Sequence, residues 1–228
     1  MMHIQNRVFV HRGLQINYRI YTPEEAKGRP LLVYLHGAGE RGDTPDVLSH
    51  IERHAVPKLI AEGREIPAVV LCPQCPTAFV WENLPDVLYA LILSVAEEYA
   101  TPRGRILLTG SSMGGYGTWM LGMTYPTLFA AIAPISGGAM SWRASNLRST
   151  PVFAVHGACD TLVPPACSEM PISALKAQGG DATLVLLDGA GHNDGIDYAY
   201  RHAGVIDWLL AHERTDFSPV PEFCSECF

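Results

Sequence analysis

Arg105-Ile-Leu-Leu-Thr-Gly-Ser-Ser-Met-Gly-Gly115, running on into Tyr116-Gly-Thr-Trp-Met-Leu121, is the stretch from which the fold can be read. Ile106–Thr109 are apolar or β-prone and read as a buried strand, and the residues after Gly114 read as an apolar helix. The order is strand, sharp turn, helix, with Ser112 at the apex. Such a turn holds its central serine in a strained conformation, and the residues two before and two after must lack bulk. Gly110 and Gly114 occupy those positions. An apex at Ser111 would put Thr109 and Met113 there and crowd the turn. A bare Gly-x-Ser-x-Gly arises by chance in about one in ten chains of this glycine and serine content, so the flanking strand and helix carry the reading.

Outward from this stretch, Leu31–Leu35, Ala68–Cys72, Ala130–Ala133, Val152–Val155 and Thr183–Leu187 are also apolar runs without alternation. Strands of that kind are covered on both faces, which indicates a parallel sheet between helices. Leu84–Tyr99, Met113–Tyr125, Pro164–Gln178 and the stretch carrying Ile196, Ala199, Ala203, Ile206 and Leu209 supply the helices, with Pro126 and Gly179 as stops. Val8–His11 and Leu14–Tyr21 alternate apolar with polar around His11-Arg-Gly13, which suggests an antiparallel hairpin. The expected fold is α/β, organised as one domain over residues 1–228. Its catalytic core covers about 31–210, and an irregular, peripheral tail covers 215–228.

Length and composition narrow the function. The chain has 228 residues, 48% of them hydrophobic and 17% charged, enough for one sizeable core. A net charge of -7 and a pI near 5.7 leave no basic stripe, so nucleic acid is not an expected partner. No apolar run approaches the ~20 residues of a membrane span. The opening residues Met1–Arg7 lack the apolar core of a signal peptide, so a cytoplasmic location is expected. The six cysteines include two Cys-x-x-Cys pairs, Cys72/Cys75 and Cys224/Cys227. The pairs lie far apart in sequence, Pro73 and Pro76 flank the first, and neither opens a helix as a redox pair would. Buried or tail thiols are the expectation, with no metal and no cofactor.

A serine hydroxyl needs a base to take its proton and a third group to orient that base. In open α/β sheets the functional loops lie beyond the carboxyl ends of the strands. Val152–Val155 is followed by His156-Gly-Ala-Cys-Asp160, and Thr183–Leu187 by Asp188-Gly-Ala-Gly-His192. Asp160 is the expected acid, because Asp188 ends the same strand that delivers the histidine. His192 is the expected base: His202 and His212 fall at the last helix, and His156 sits at a strand end, where histidines are more often structural. Backbone N–H groups of Met113, after the nucleophile, and of Ala38, in the loop Leu35-His-Gly-Ala-Gly-Glu-Arg-Gly-Asp43, are the expected oxyanion donors. Glu40 and Arg41 are expected to hold this loop, by an ion pair or hydrogen bonds, more than to touch substrate.

Taken together, Leu-His-Gly-Ala-Gly-Glu-Arg-Gly, Gly-Ser-Ser-Met-Gly-Gly, His-Gly-Ala-Cys-Asp-Thr-Leu-Val-Pro and Gly-Ala-Gly-His resemble, in this order, the α/β-hydrolase superfamily. The resemblance covers roughly residues 31–210. It is narrower still to the small serine carboxylesterases and the group known as predicted peptidases, near dienelactone hydrolase and the phospholipase/carboxylesterase families. It implies a Ser112–His192–Asp160 triad and, by the Cys72–Pro76 segment and Trp81, a wall of the active-site cleft. Dienelactone hydrolase proper uses a cysteine nucleophile, so its substrate is not carried over to this serine. Residues 136–150 leave room for a short loop with Trp142 but no helical cap, and Trp81, Trp142 and Leu162 are the candidates to line an open cleft. The expected activity is hydrolysis of short-chain or activated esters, aryl esters included, through an acyl-enzyme. A peptidase or thioesterase would use the same groups, and a non-catalytic binding protein is the reading from another class.

Overall fold

The computed structural model describes residues 1–220, so Cys224 and Cys227 lie outside the described residues. Eight strands form one sheet: β1 His3–His11, β2 Leu14–Thr22, β3 Leu31–Leu35, β4 Val69–Pro73, β5 Ile106–Ser111, β6 Ala131–Ile135, β7 Val152–Gly157 and β8 Ala182–Leu187, in the spatial order β1-β2-β4-β3-β5-β6-β7-β8. From β4 to β8 every pairing is parallel, while β1 and β2 form an antiparallel hairpin whose second strand runs antiparallel to β4. Arg12 and Gly13 both take positive φ (49° and 82°), the geometry that closes a tight hairpin without splaying its strands.

Side chains alternate across the sheet, so the continuous apolar runs feed two cores. Leu31, Val33 and Leu35 point to one face, where α2 (Pro85–Glu98), α3 (Met113–Thr124) and α4 (Ala166–Ala177) cover them. Leu32 and Tyr34 point to the other, under α1 (Ala55–Ala61), α5 (His192–Arg201) and α6 (Val205–Leu210). The helical pattern through Ile196 and Leu209 is two helices, not one continuous element. Gly204 at φ 70° re-aims the chain between them, although Ala203 continues the apolar spacing across the break. Residues 141–147 form a short 3-10 helix where only a loop is expected, with Ala144 and Leu147 in the core. Among the described residues, no helix is long and apolar enough to cross a membrane.

The central turn is closed by backbone contact. A Cβ built on Gly110 would fall 2.4 Å from the Gly114 carbonyl oxygen, and one on Gly114 would fall 1.9 Å from the Leu35 carbonyl oxygen. Ser112, between them, takes φ 56°, in the range that side chains rarely adopt. Ser111 is instead the last residue of β5, buried with its Oγ 3.0 Å from the Tyr34 hydroxyl.

His36 ties the loop after β3 to the chain after β4. Its Nε2 accepts the Cys75 N–H at 2.9 Å, so the neutral ring carries its proton on Nδ1, which donates to the Gly37 carbonyl at 2.6 Å. The Trp81 indole N–H donates to the His36 carbonyl at 2.9 Å, with the two rings edge to face. Protonating Nε2 would set two donors against each other at Cys75. Burial, with a smaller contribution from Arg41, lowers the His36 pKa to about 4. The thiols of Cys72 and Cys75 lie buried in the same region, and burial pushes Cys75 up to about 12.

Two expectations follow. Gly114→Ala should destabilise the protein by roughly 3 kcal/mol or more in urea unfolding, because the contact is backbone on both sides; a wild-type midpoint contradicts this. An unfolded histidine binds a proton near pH ~6.5 while folded His36 resists it to about 4. Its stabilising effect is therefore complete above pH ~6.5 and lost on acidification towards 4, on the order of 3 kcal/mol in all. Urea unfolding of wild type and His36→Asn across pH 4–7 checks it: their difference should shrink on acidification, and a pH-independent difference contradicts it.

Candidate active site

Ser112 enters its turn with its N–H bonded to the Ile135 carbonyl (2.9 Å) and leaves it with its carbonyl accepting from Tyr116 N–H (3.1 Å). The strained residue is thus fixed from the β6 side and from α3. Met113 is the first residue of α3 and Ala38 the first of the 3-10 turn Ala38–Glu40, so both belong to helical turns whose opening N–H groups lack intrahelical acceptors. A Cβ on Gly37 would lie 3.6 Å from Ser112 Cβ, which places the Ala38 loop against the serine. Ala38, Ser112 and His192 line one cleft of about 240 Å³.

The loops after β7 and β8 are drawn together by their backbones. Ala158 N–H bonds Leu187 O and Cys159 N–H bonds Ala190 O, each at 2.9 Å. A Cβ on Gly157 would strike Gly191 O at 2.4 Å, so this approach needs glycine. It brings Asp160 Oδ2 to 2.6 Å from His192 Nδ1. Facing a carboxylate, Nδ1 is the donor, and Nε2 is left free to accept a proton.

Asp160 is buried, yet its other oxygen accepts the N–H groups of Leu162 (3.0 Å) and Val163 (2.9 Å). Burial works against its charge; the Val163 and Leu162 N–H groups and His192 outweigh it and hold the carboxyl below the usual carboxylate range. His156 is structural, as its place at a strand end suggests. Its Nδ1 lies 2.8 Å from Ser168 Oγ, and its Nε2 lies 2.8 Å from Val163 O and 3.3 Å from Asp160 Oδ2, bracing the acid from the core side. Asp188 is exposed at the end of β8.

The expected lining residues are placed as follows. Trp81 is fully buried (0%), with its N–H spent on His36 O and its Cβ against Gly117 of α3, so it supports the Ala38 loop from beneath and does not line the cleft. Leu162 gives its N–H to Asp160 while its side chain is 75% exposed, and Trp142 is 58% exposed on the 3-10 helix. Neither is among the residues lining the Ser112 cleft, which instead include His54, Asn193 and Ile196. His54 follows the 3-10 stretch Pro45–Arg53, whose buried Leu48 and Ile51 stand three residues apart, and lies just beyond its end. A separate, more apolar cavity of about 510 Å³ opens at Tyr116, one helical turn past Ser112, between Met120, Met123, Met140 and Met170.

Arg41 holds its loop through carbonyls: Nε to Ala38 O, and Nη1 to Thr77 O and Phe79 O. It has no ion pair with Glu40, whose buried carboxyl lies between His36 and His54, 3.7 Å from a ring nitrogen of each. Among the described residues no group of three or more His, Cys, Asp or Glu side chains is arranged to hold a metal ion.

Comparisons with known proteins agree with this architecture. Residues 87–197, which carry Ser112, Asp160 and His192, match the phospholipase/carboxylesterase family model. A bifunctional acetylxylan esterase/xylanase of Neocallimastix patriciarum is 28% identical over 158 residues, 67% of this chain but 22% of that protein. The crystal structure of a thermostable esterase superposes with a TM-score of 0.80 at 29% identity, covering 92% of this chain and 63% of that one. A feruloyl esterase module from Clostridium thermocellum, complexed with sinapinate, shares the fold at 19% identity and a TM-score of 0.70, covering 96% and 92% of the two chains. The chain thus spans only part of the first two relatives' lengths. With its mostly parallel sheet, its serine on the turn after β5 and its aspartate and histidine after β7 and β8, the chain has the α/β-hydrolase fold and is similar, over residues 87–197, to the phospholipase/carboxylesterase family.

Proposed function

We propose that the protein is a serine carboxylic-ester hydrolase that works through an acyl-enzyme. The observation that carries this reading is the 2.6 Å His192–Asp160 hydrogen bond in the cleft that also holds Ser112 on its positive-φ turn. Ser112 Oγ attacks the ester carbonyl carbon as its proton passes to His192 Nε2, and the resulting oxyanion is met by the N–H groups of Ala38 and Met113. The carbon–oxygen bond to the alcohol then breaks, with His192 returning the proton to the leaving oxygen. Water gives a proton to His192 as it attacks the acyl-serine, and His192 returns that proton to Ser112 Oγ as the acid leaves. Asp160, held in its charged form by the Val163 N–H, His192 and the Leu162 N–H, keeps the imidazole in the required tautomer and orientation.

Short-chain and activated esters, aryl esters among them, are the substrates this site suits. The neighbouring cavity at Tyr116, lined by Met120, Met123, Met140 and Met170 with Glu82 and Arg143, is consistent with an apolar or aryl acyl group reaching it from Ser112, because thioether side chains adapt to irregular apolar shapes. The family match and the esterases among the relatives support ester over amide bonds.

Hydrolysis of p-nitrophenyl acetate tests the assignment. Ser112→Ala should lose on the order of 10⁶ in kcat while remaining folded. Asp160→Asn should lose on the order of 10⁴, since the amide favours the wrong imidazole tautomer. A folded Ser112→Ala protein that keeps most of its turnover contradicts the proposal.

A further inference from the structure

Strand β1 closes one end of the sheet, with β2 on one side and, among the described residues, no strand on the other. The phase of its backbone follows from β2. Gln74 N–H, just past β4, donates to Asn17 O, so the odd-numbered residues of β2 turn their backbone groups to β4 and the even-numbered ones turn theirs to β1. In the β1–β2 register those even-numbered residues face His3, Gln5, Arg7, Phe9 and His11. The N–H and C=O groups of Ile4, Asn6, Val8 and Val10 therefore point off the sheet along its free edge.

Monomeric proteins blunt such an edge with a short strand, a bulge, a proline or a lysine. β1 has none of these: it runs for nine residues, pairs with β2 one for one, and contains neither proline nor lysine. Ile4, Asn6, Val8 and Val10 also share one face, on which Ile4 and Val8 are each 51% exposed and Val10 is 61% exposed. Free backbone groups and an apolar stripe thus lie on the same edge, which is what an added strand requires.

The strand is complementary to itself. Two copies set antiparallel about a two-fold axis at Arg7 overlap along the whole of β1, with Ile4 opposite Val10 and Asn6 opposite Val8 of the second copy. Each of these pairs joins outward-pointing residues, so the ladder forms in phase, and the stripes of both copies fall on one face as a continuous apolar strip. The charge at the axis is already matched within each chain: Arg7 Nη1 bonds both Glu98 oxygens (2.8 and 2.7 Å), and Nε and Nη2 bond Gln5 Oε1 (3.0 and 2.6 Å). A second copy supplies these matches by symmetry, whereas an unrelated strand would need a matching sequence of its own.

We propose that β1 is a homodimer interface, at which two copies pair edge to edge and join their eight-stranded sheets into one. Strands β2, β4 and β3 separate this edge from β5, so both Ser112 clefts stay open. Sedimentation equilibrium from about 1 to about 200 μM brackets the micromolar dissociation expected of an interface limited to one strand per copy. Wild type should show a monomer–dimer equilibrium. Val8→Lys should weaken it about tenfold or more, because like charges then meet across the axis. Val10→Lys replaces it if Val8→Lys loses the wild-type urea midpoint at low concentration. Amide exchange reads the register without any substitution: the N–H groups of Ile4, Asn6, Val8 and Val10 should be protected at high concentration and exchange freely on dilution. A wild type that stays monomeric, a dimer that the lysine leaves intact, or exchange at these four positions that ignores concentration overturns the proposal.

Discussion

Everything at the site depends on how closely three backbone segments approach one another at the end of β5. Gly114 lies so near the Leu35 carbonyl that no side chain fits between them, and Gly110 is packed in turn on Gly114. That contact leaves Ser112 at the apex with φ 56°. The strain is sustained because the residue is bonded on both sides, to Ile135 and to Tyr116. Removing bulk at two positions is thus what allows a half-buried serine to face the cleft at the end of the fully buried strand β5.

A second layer of constraint fixes what faces the serine. His36, neutral and bonded through both ring nitrogens, joins the Gly37–Ala38 loop to Cys75, while Trp81 binds the His36 carbonyl from beneath. The segment around Cys75 and Trp81 is therefore structural support, and the thiols there are buried packing groups. On the opposite side, the glycines of the β7 and β8 loops let Asp160 meet His192. Backbone proximity, enforced by glycine at each crossing, positions all the groups proposed to act in the chemistry.

Most of this was legible in the sequence because it is written in local patterns. Continuous apolar runs marked the parallel strands, Leu31–Leu35 to the residue, and glycine spacing distinguished Ser112 from Ser111. Strand-end loops pointed to Asp160 and His192, which the fold brings into contact. What escaped depends on tertiary context. Trp81 beside a cleft motif has the same sequence signature whether it lines the cleft or supports it, and only the His36 carbonyl that satisfies its N–H decides. His54 and Asn193 reach the cleft from the end of the Pro45–Arg53 3-10 stretch and from a helix start, and no motif in the sequence ties either to Ser112. Glu40 and Arg41 are neighbours in sequence but form no pair, because Arg41 finds three carbonyls while the Glu40 carboxyl is buried between His36 and His54.

The proposed chemistry rests on one group, the Ser112 hydroxyl, being activated by His192. Reaction with a fluorophosphonate, in which Ser112 Oγ would displace fluoride from phosphorus, followed by peptide mapping, measures this most directly. The expected result is a single adduct on the peptide carrying Ser112, absent from Ser112→Ala and formed much more slowly by His192→Gln. A folded wild-type protein that forms no adduct, or one that carries it on another residue, contradicts a nucleophilic Ser112.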